Sequence, residues 1–332
     1  MLGFREDPDD RLSSSQLVGQ MVMSGMAGTE PGSSLLQSIR EGELGGILLF
    51  SQNVGPGLPS QMRHLQQTAT EGRNPPVLVA TDQEGGTVRR IPGPPKSPRQ
   101  MANEADARSQ GEATAALLLS NHVTVNLAPV ADVTSEQAFE AAQGRGFAGD
   151  APRVGALANA FAQGLQARGV AATAKHFPGL GSLRVDTDRA LGRVDVSEAE
   201  LQTQILPFQQ LVHDGVDMVM LANAVYPGWD GANPAVFSPK VVEVLRQQLG
   251  FQGVVITDDL NAPSLSGDVG ARAVRSVSAG ADIVLYGSQE GGRAAYQALR
   301  AAAESGQLSR TRLLESHQRL VALKAKLAPV SQ

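Results

Sequence analysis

"MVMLANAVYPGWDGANPAVFSPKVVEVLRQQLGFQGVVITDDL", residues 218–260, contains two short apolar runs separated by a segment with helical spacing. The runs MVMLANAV (218–225) and VVITDDL (254–260) suit strands buried on both faces, as in a parallel sheet. Between them, SPKVVEVLRQQLG (238–250) has helix signals at both ends. Ser238 stands at the N-cap, Pro239 in the first turn, Val241, Leu245 and Leu249 on one face, and Gly250 at the stop. The stretch therefore predicts strand, helix, strand.

The same unit recurs along the chain. Further apolar runs lie at MVMSGM (21–26), GGILLF (45–50), VLVATD (77–82), VTVNLAPV (123–130), VAATAKHF (170–177) and ADIVLYG (281–287). Helical patterns fall between them, one opening with a capping box in Ser197 and Glu200. Eight such runs, with no Pro/Gly/Ser linker dividing them, fit an α/β fold with a single (β/α)8 barrel better than a doubly wound sheet. The expectation is one domain over residues 1–332. The Pro-rich stretch IPGPPKSPRQMANEADAR (91–108) reads as a long loop inside the strand series, and the C-terminal stretch as a closing helix.

Composition narrows the function. A hydrophobic content of 42% over 332 residues supplies a large core, and the net charge of -5 with scattered basic residues argues against a nucleic-acid partner. There is no cysteine, hence no disulfide and no thiolate chemistry. The opening MLGFREDPDDR lacks the basic-then-apolar order of a leader, and no apolar run approaches the roughly 20 residues needed to span a bilayer. These features predict a soluble chain as given and leave the compartment open.

In a barrel the chemistry gathers at the C-terminal ends of strands. Those ends carry Asp82-Gln83-Glu84, Asp132, Lys175-His176, Asn223 and Asp258-Asp259. Helix N-capping accounts for Asp132 or Asp259 taken singly, but not for the whole set. His64, His213 and His317 sit in helical patterns and His122 precedes a strand, so only His176 among the five histidines ends a strand beside a lysine. With no H-x-H or H-E-x-x-H spacing, neither a metal nor an organic cofactor is expected. G-x-S-x-G, Walker A and a helix-opening G-x-G-x-x-G are also missing, and QEGGTVRR and GSQEGG read as plain turns. Carboxylate chemistry remains, and paired acids in a barrel mouth suit glycoside cleavage.

Five segments in order, ATDQEGGTVRR, NLAPVADV, GRGFAGD, KHFPGLG and LGFQGVVITDDL, resemble glycoside hydrolase family 3, in its single-domain β-N-acetylglucosaminidase branch. The resemblance implies a retaining exo-acting hydrolase, with terminal N-acetylglucosamine of glycans or cell-wall fragments as the substrate class. It places the nucleophile at Asp258 and the sugar-holding groups at Asp82, Arg90, Arg145, Lys175 and His176. A lysine or arginine near Asp258 is expected to keep it ionised.

The chain departs from the family after its Pro-Gly turn. Where the branch has Asp-Ser/Thr-His, with the histidine as general acid/base, this sequence has Asp186-Thr187-Asp188. Leu180 and Thr87 likewise replace a usual histidine and arginine. Three readings stand: Asp188 is the acid/base, its pKa raised by Asp186; proton transfer is lost, leaving a sugar-binding protein; or Arg184 or Arg189 neutralises the acids in a solvated loop. A β-glucosidase-type activity is a further alternative. An anionic residue at this place would repel phosphate, which favours hydrolysis over phosphorolysis.

Overall fold

Eight strands pair in parallel and in chain order: β1 (Val22–Gly25), β2 (Gly46–Leu49), β3 (Leu78–Thr81), β4 (Val125–Asn126), β5 (Ala171–Phe177), β6 (Met218–Leu221), β7 (Val254–Asp259) and β8 (Ile283–Tyr286). β1 pairs with both β2 and β8, which closes the barrel and leaves its sheet no free edge. This computed structural model describes residues 12–181 and 183–329. The opening MLGFREDPDDR lies outside the described residues.

All eight apolar runs supply a barrel strand, because a strand with the barrel interior on one face and helices on the other is buried on both. β1, β2, β3, β6 and β8 are buried at every position. Ser238 caps its helix by accepting from the Val241 amide, and the Ser197–Glu200 capping box is formed. No helix among the described residues is long and apolar enough to cross a membrane.

Four expectations are corrected. The run 123–130 gives only a two-residue strand, resuming as a single bridge from Val130 to Lys175, since Pro129 has no N–H to donate. The run 218–225 splits: β6 ends at Leu221, and Ala224–Tyr226 leaves the barrel to join a small sheet with Gly192–Arg193 and Asp230–Pro234. The loop expected over 91–108 ends early, because Asn103 accepts from the Asp106 amide and starts the helix Glu104–Ser120. The helix after Ser238 is α-helical only over Pro239–Glu243 and widens to a π-turn over Val244–Gln248.

The last helix, Arg310–Lys326, crosses the strand starts. Arg312 donates to the Ala281 carbonyl, Lys326 pairs with Asp217, and the Ala328 amide donates to Gly169. One end of the barrel is thus plugged, and the strand ends at the other are left to loops.

Candidate active site

A cavity of about 490 Å³ opens at the C-terminal mouth of the barrel. Asp82, Arg90, Arg145, Lys175 and His176, the expected sugar-holding residues, all line it. So do the expected catalytic acids Asp186, Asp188 and Asp258. A larger cavity, about 660 Å³, lies at the strand starts, with Lys324 but no carboxylate or histidine in its wall. The acids and the histidine expected to act all line the smaller one.

Two strands bulge where they meet the site. The β5–β6 register shifts between Ala174 and Phe177, and the β7–β8 register shifts between Ile256 and Asp259. A bulge breaks the strict alternation of side chains, so Lys175 and His176, though adjacent, both reach the cavity.

Lys175 is fully buried and places its Nζ 2.6 Å from Asp82 Oδ1 and 2.6 Å from Glu84 Oε1. Arg145 grips the same Glu84 with two hydrogen bonds, 2.8 Å from Nε and 2.9 Å from Nη2. Burial works against a charge on Glu84, but Arg145 and Lys175 overcome it and hold the carboxyl down at about 2. Arg90 stands 3.7 Å from Asp82, carried there by the hairpin Gln83–Gly85 and Val88–Arg89. That hairpin turns on Gly85 and Gly86, both at positive φ, and a Cβ on Gly85 would lie 2.3 Å from the Lys96 carbonyl. Thr87 faces outward here, its hydroxyl donating to the Gln143 carbonyl.

His176 is set by Asp132. Its Nδ1 lies 2.8 Å from Asp132 Oδ2, and its backbone N–H reaches both Asp132 oxygens at 3.2 Å. The Leu180 amide donates to Asp132 Oδ1, so Asp132 is the anchor of the Lys-His-Phe-Pro-Gly turn and not an N-cap. A carboxylate at Nδ1 fixes the proton there and leaves Nε2 as an acceptor. Burial lowers the pKa of His176 and favours the neutral ring. Asp259 is likewise no helix cap. Its Oδ1 accepts from Asn261 and Gly287, tying the end of β7 to β8.

Glu140 has no forerunner in the sequence reading. It lies on a four-residue helix, Phe139–Ala142, in the cavity wall, with Oε1 3.3 Å from His176 Nδ1. Burial, reinforced by Asp132, raises its carboxyl to about 8. FEAAQ offers no signal, since the same letters serve an exposed helix. Glu84 and Asp132 were visible as strand-end acids, but their role as partners of Lys175, Arg145 and His176 was not. Asp132, Glu140 and His176 bring one ligand atom each within 4.8 Å of one another, a group that could hold a metal ion.

Asp258 overturns one expectation. Burial, and next the charge of Asp188, raise its carboxyl to about 7, against weaker pulls from His176 and Lys175. Lys175 is committed to Asp82 and Glu84 and does not hold Asp258 ionised. Asp188 is raised in turn, by burial and then by Asp186, whose Oδ1 accepts the Asp188 amide at 3.1 Å. The loop arginines do little here. Arg189 reaches Asp186 at 3.5 Å with its side chain 87% exposed, and Arg184 turns to Gln137. The arrangement is two carboxyls held above their usual range, Asp258 partly buried and Asp188 nearer solvent, beside a set of charged hydrogen-bonding groups, suited to a polar ring held against a nucleophile and an acid.

The sequence profile of the glycosyl hydrolase family 3 N terminal domain matches residues 15–323. A protein of Arthroderma benhamiae described as an uncharacterized secreted glycosyl hydrolase is 37% identical over 93% of this chain and 93% of its own. The solved β-N-acetylhexosaminidase of Beutenbergia cavernae superposes with a TM-score of 0.85 at 34% identity, covering 95% of this chain and 99% of that one. The family 3 β-N-acetylglucosaminidase of a Paenibacillus species superposes at 0.89, also at 34% identity. This chain spans 62% of the Paenibacillus protein, which covers 95% of it.

Proposed function

This chain belongs to glycosyl hydrolase family 3, and from that premise we propose that it is a retaining exo-β-N-acetylhexosaminidase, with Asp258 as nucleophile and Asp188 as general acid/base. The observation that carries the proposal is the placing of these two carboxyls on one cavity at the barrel mouth, where the charge of Asp188 helps to raise Asp258. At neutral pH such a pair keeps one proton, which is what a nucleophile and an acid together need.

In the first step Asp258 bonds to the anomeric carbon as the glycosidic C–O bond breaks, and Asp188 gives its proton to the departing oxygen. In the second, Asp188 takes a proton from water, the water oxygen bonds to the anomeric carbon, and the Asp258 carboxylate is released. Asp82, Lys175, Arg90 and Arg145 supply charged partners for ring hydroxyls, and His176 Nε2 accepts one more. Asp186 raises Asp188 and fixes its backbone. N-acetylglucosamine as the sugar is supported by the names of the Beutenbergia and Paenibacillus enzymes. The proposal takes the chain as one catalytic barrel, in keeping with the profile match over residues 15–323.

The test is covalent trapping. Incubation with 5-fluoro-N-acetylglucosaminyl fluoride, followed by peptide mass analysis, should place one N-acetylhexosaminyl adduct on Asp258, and Asp258→Asn should take none while still binding N-acetylglucosamine. An adduct on another residue overturns the assignment. Binding of N-acetylglucosamine by the wild type without adduct or turnover makes it a sugar-binding protein instead.

A further inference from the structure

The loop that carries Asp186 and Asp188 is tied down at both ends by its neighbours in the fold. At its start the Phe139 amide donates to Leu183, and at its end Gly192–Arg193 pairs with Ala224 and Val225. Its apex is different. Among the described residues, the hydrogen bonds that reach residues 186–188 from outside the loop both come from Ser264: its Oγ donates to the Thr187 carbonyl at 2.6 Å and its amide to the Asp188 carbonyl at 3.4 Å.

Ser264 is itself held firmly. It lies in the loop that follows Asp258 and Asp259 on β7, and buried Arg272 pins that loop from below. The guanidinium donates to the carbonyls of Leu260 at 2.7 Å, Ala262 at 3.2 Å and Gly267 at 3.2 Å, and also to Leu265. Its hydrogen bonds go to main chain, so its charge sets backbone positions. The end of β7, which carries Asp258, and the loop apex that bears Asp188 are therefore joined through one residue.

From this linkage we infer that Ser264 is a positioning residue, fixing the Asp188 carboxyl at its working distance from Asp258. The inference rests on Asp188 being the general acid/base. A displacement of about 1 Å at a reacting group costs on the order of a hundredfold in rate, so one short hydrogen bond at the apex has leverage. The requirement falls on steps that need a proton delivered, and not on sugar binding or nucleophilic attack.

The experiment compares kcat/KM for N,N′-diacetylchitobiose, whose leaving oxygen needs protonation, with that for a dinitrophenyl β-N-acetylglucosaminide, whose leaving group does not. Ser264→Ala should lower the chitobiose value about tenfold or more while leaving the dinitrophenyl value within about twofold, and Ser264→Thr, which keeps the hydroxyl, should recover most of the loss. Asp188→Ala serves as the reference and should show the same selectivity more strongly. Equal losses on both substrates, or none, in Ser264→Ala while Asp188→Ala stays selective would overturn the positioning role alone. If Asp188→Ala is not selective, the acid assignment fails and the role of Ser264 falls with it.

Discussion

Asp258 differs from Asp82 and Glu84 in what neutralises it. Asp82 and Glu84 share the Lys175 ammonium, and Glu84 also has Arg145, whereas among the described residues no ion pair reaches Asp258. After burial, the largest influence on it is another carboxyl, Asp188. A pair of this kind binds its last proton more tightly than a lone carboxylate, because removing it leaves two like charges facing each other. The sign of the pH dependence follows. Cleavage of chitobiose needs one proton on the pair, so its kcat/KM should fall as pH rises through about 7, where that proton leaves. Asp188→Asn removes the repulsive partner and lowers the pKa of Asp258. With a dinitrophenyl substrate, which needs only an ionised Asp258, the wild-type kcat/KM should rise with pH toward about 7, and in the variant that rise should move to lower pH. A rise that stays near pH 7 in Asp188→Asn would assign the titration to another group. TDDL made Asp258 legible, since an acid ending an apolar strand has few structural reasons to be there. Its raised pKa was illegible, because desolvation depends on what the other loops lay over it.

The loop from Gly179 to Leu191 is an element whose place depends on main-chain contacts. Asp132 accepts the Leu180 amide, and the Ser135 amide donates to the Gly181 carbonyl, so this loop lies directly against the one after β4. The approach is close enough that a Cβ on Gly181 would stand 1.8 Å from the Val133 carbonyl. Gly181→Ala must therefore push the two loops apart, at a cost of about 1 to 3 kcal/mol in stability. The displacement lies upstream of Asp186 and Asp188, so catalysis should suffer more than sugar binding. Thermal unfolding and N-acetylglucosamine affinity, measured beside kcat on chitobiose, separate the two effects. An unchanged kcat would show that the apex is held independently of the loop's start. The sequence showed a Pro-Gly turn and two acids here, but not that the glycine is required by a neighbouring carbonyl some fifty residues away, because that contact exists only once β4 and β5 are paired.

At the scale of the molecule, the end of the barrel away from the cavity has its own charged centre. Asp282, fully buried before β8, accepts from Arg246 at 2.6 Å, Arg312 at 3.2 Å, Arg319 at 3.1 Å and Ser316 at 2.7 Å, and the Val255 amide donates to it at 2.9 Å. These partners join the helix Arg310–Lys326 to the starts of β7 and β8. Asp282→Asn would leave three guanidinium groups crowded without their counter-charge, and should cost about 3 to 5 kcal/mol, read as a lowered unfolding midpoint. The kcat/KM measured well below that midpoint should stay near the wild-type value, since the group faces the opposite end from the cavity. A parallel loss of activity in still-folded protein would show that the plug also shapes the mouth.

The barrel was legible in the sequence because burial on both faces leaves a strand almost wholly apolar, a signal that survives without knowing its neighbours. Strand order, the location of the mouth and the acids at its rim followed from that pattern, and the family motifs attached roles to Asp258, Asp82 and Lys175. What only the tertiary structure decided are relations between loops far apart in the chain. Glu140 became a cavity residue because its short helix folds onto His176, Asp132 became an anchor because a turn from the next strand wraps it, and Ser264 met Thr187 because the loops after β5 and β7 converge. Each depends on distances across the barrel mouth, which closure of the sheet sets and no local pattern of residues encodes.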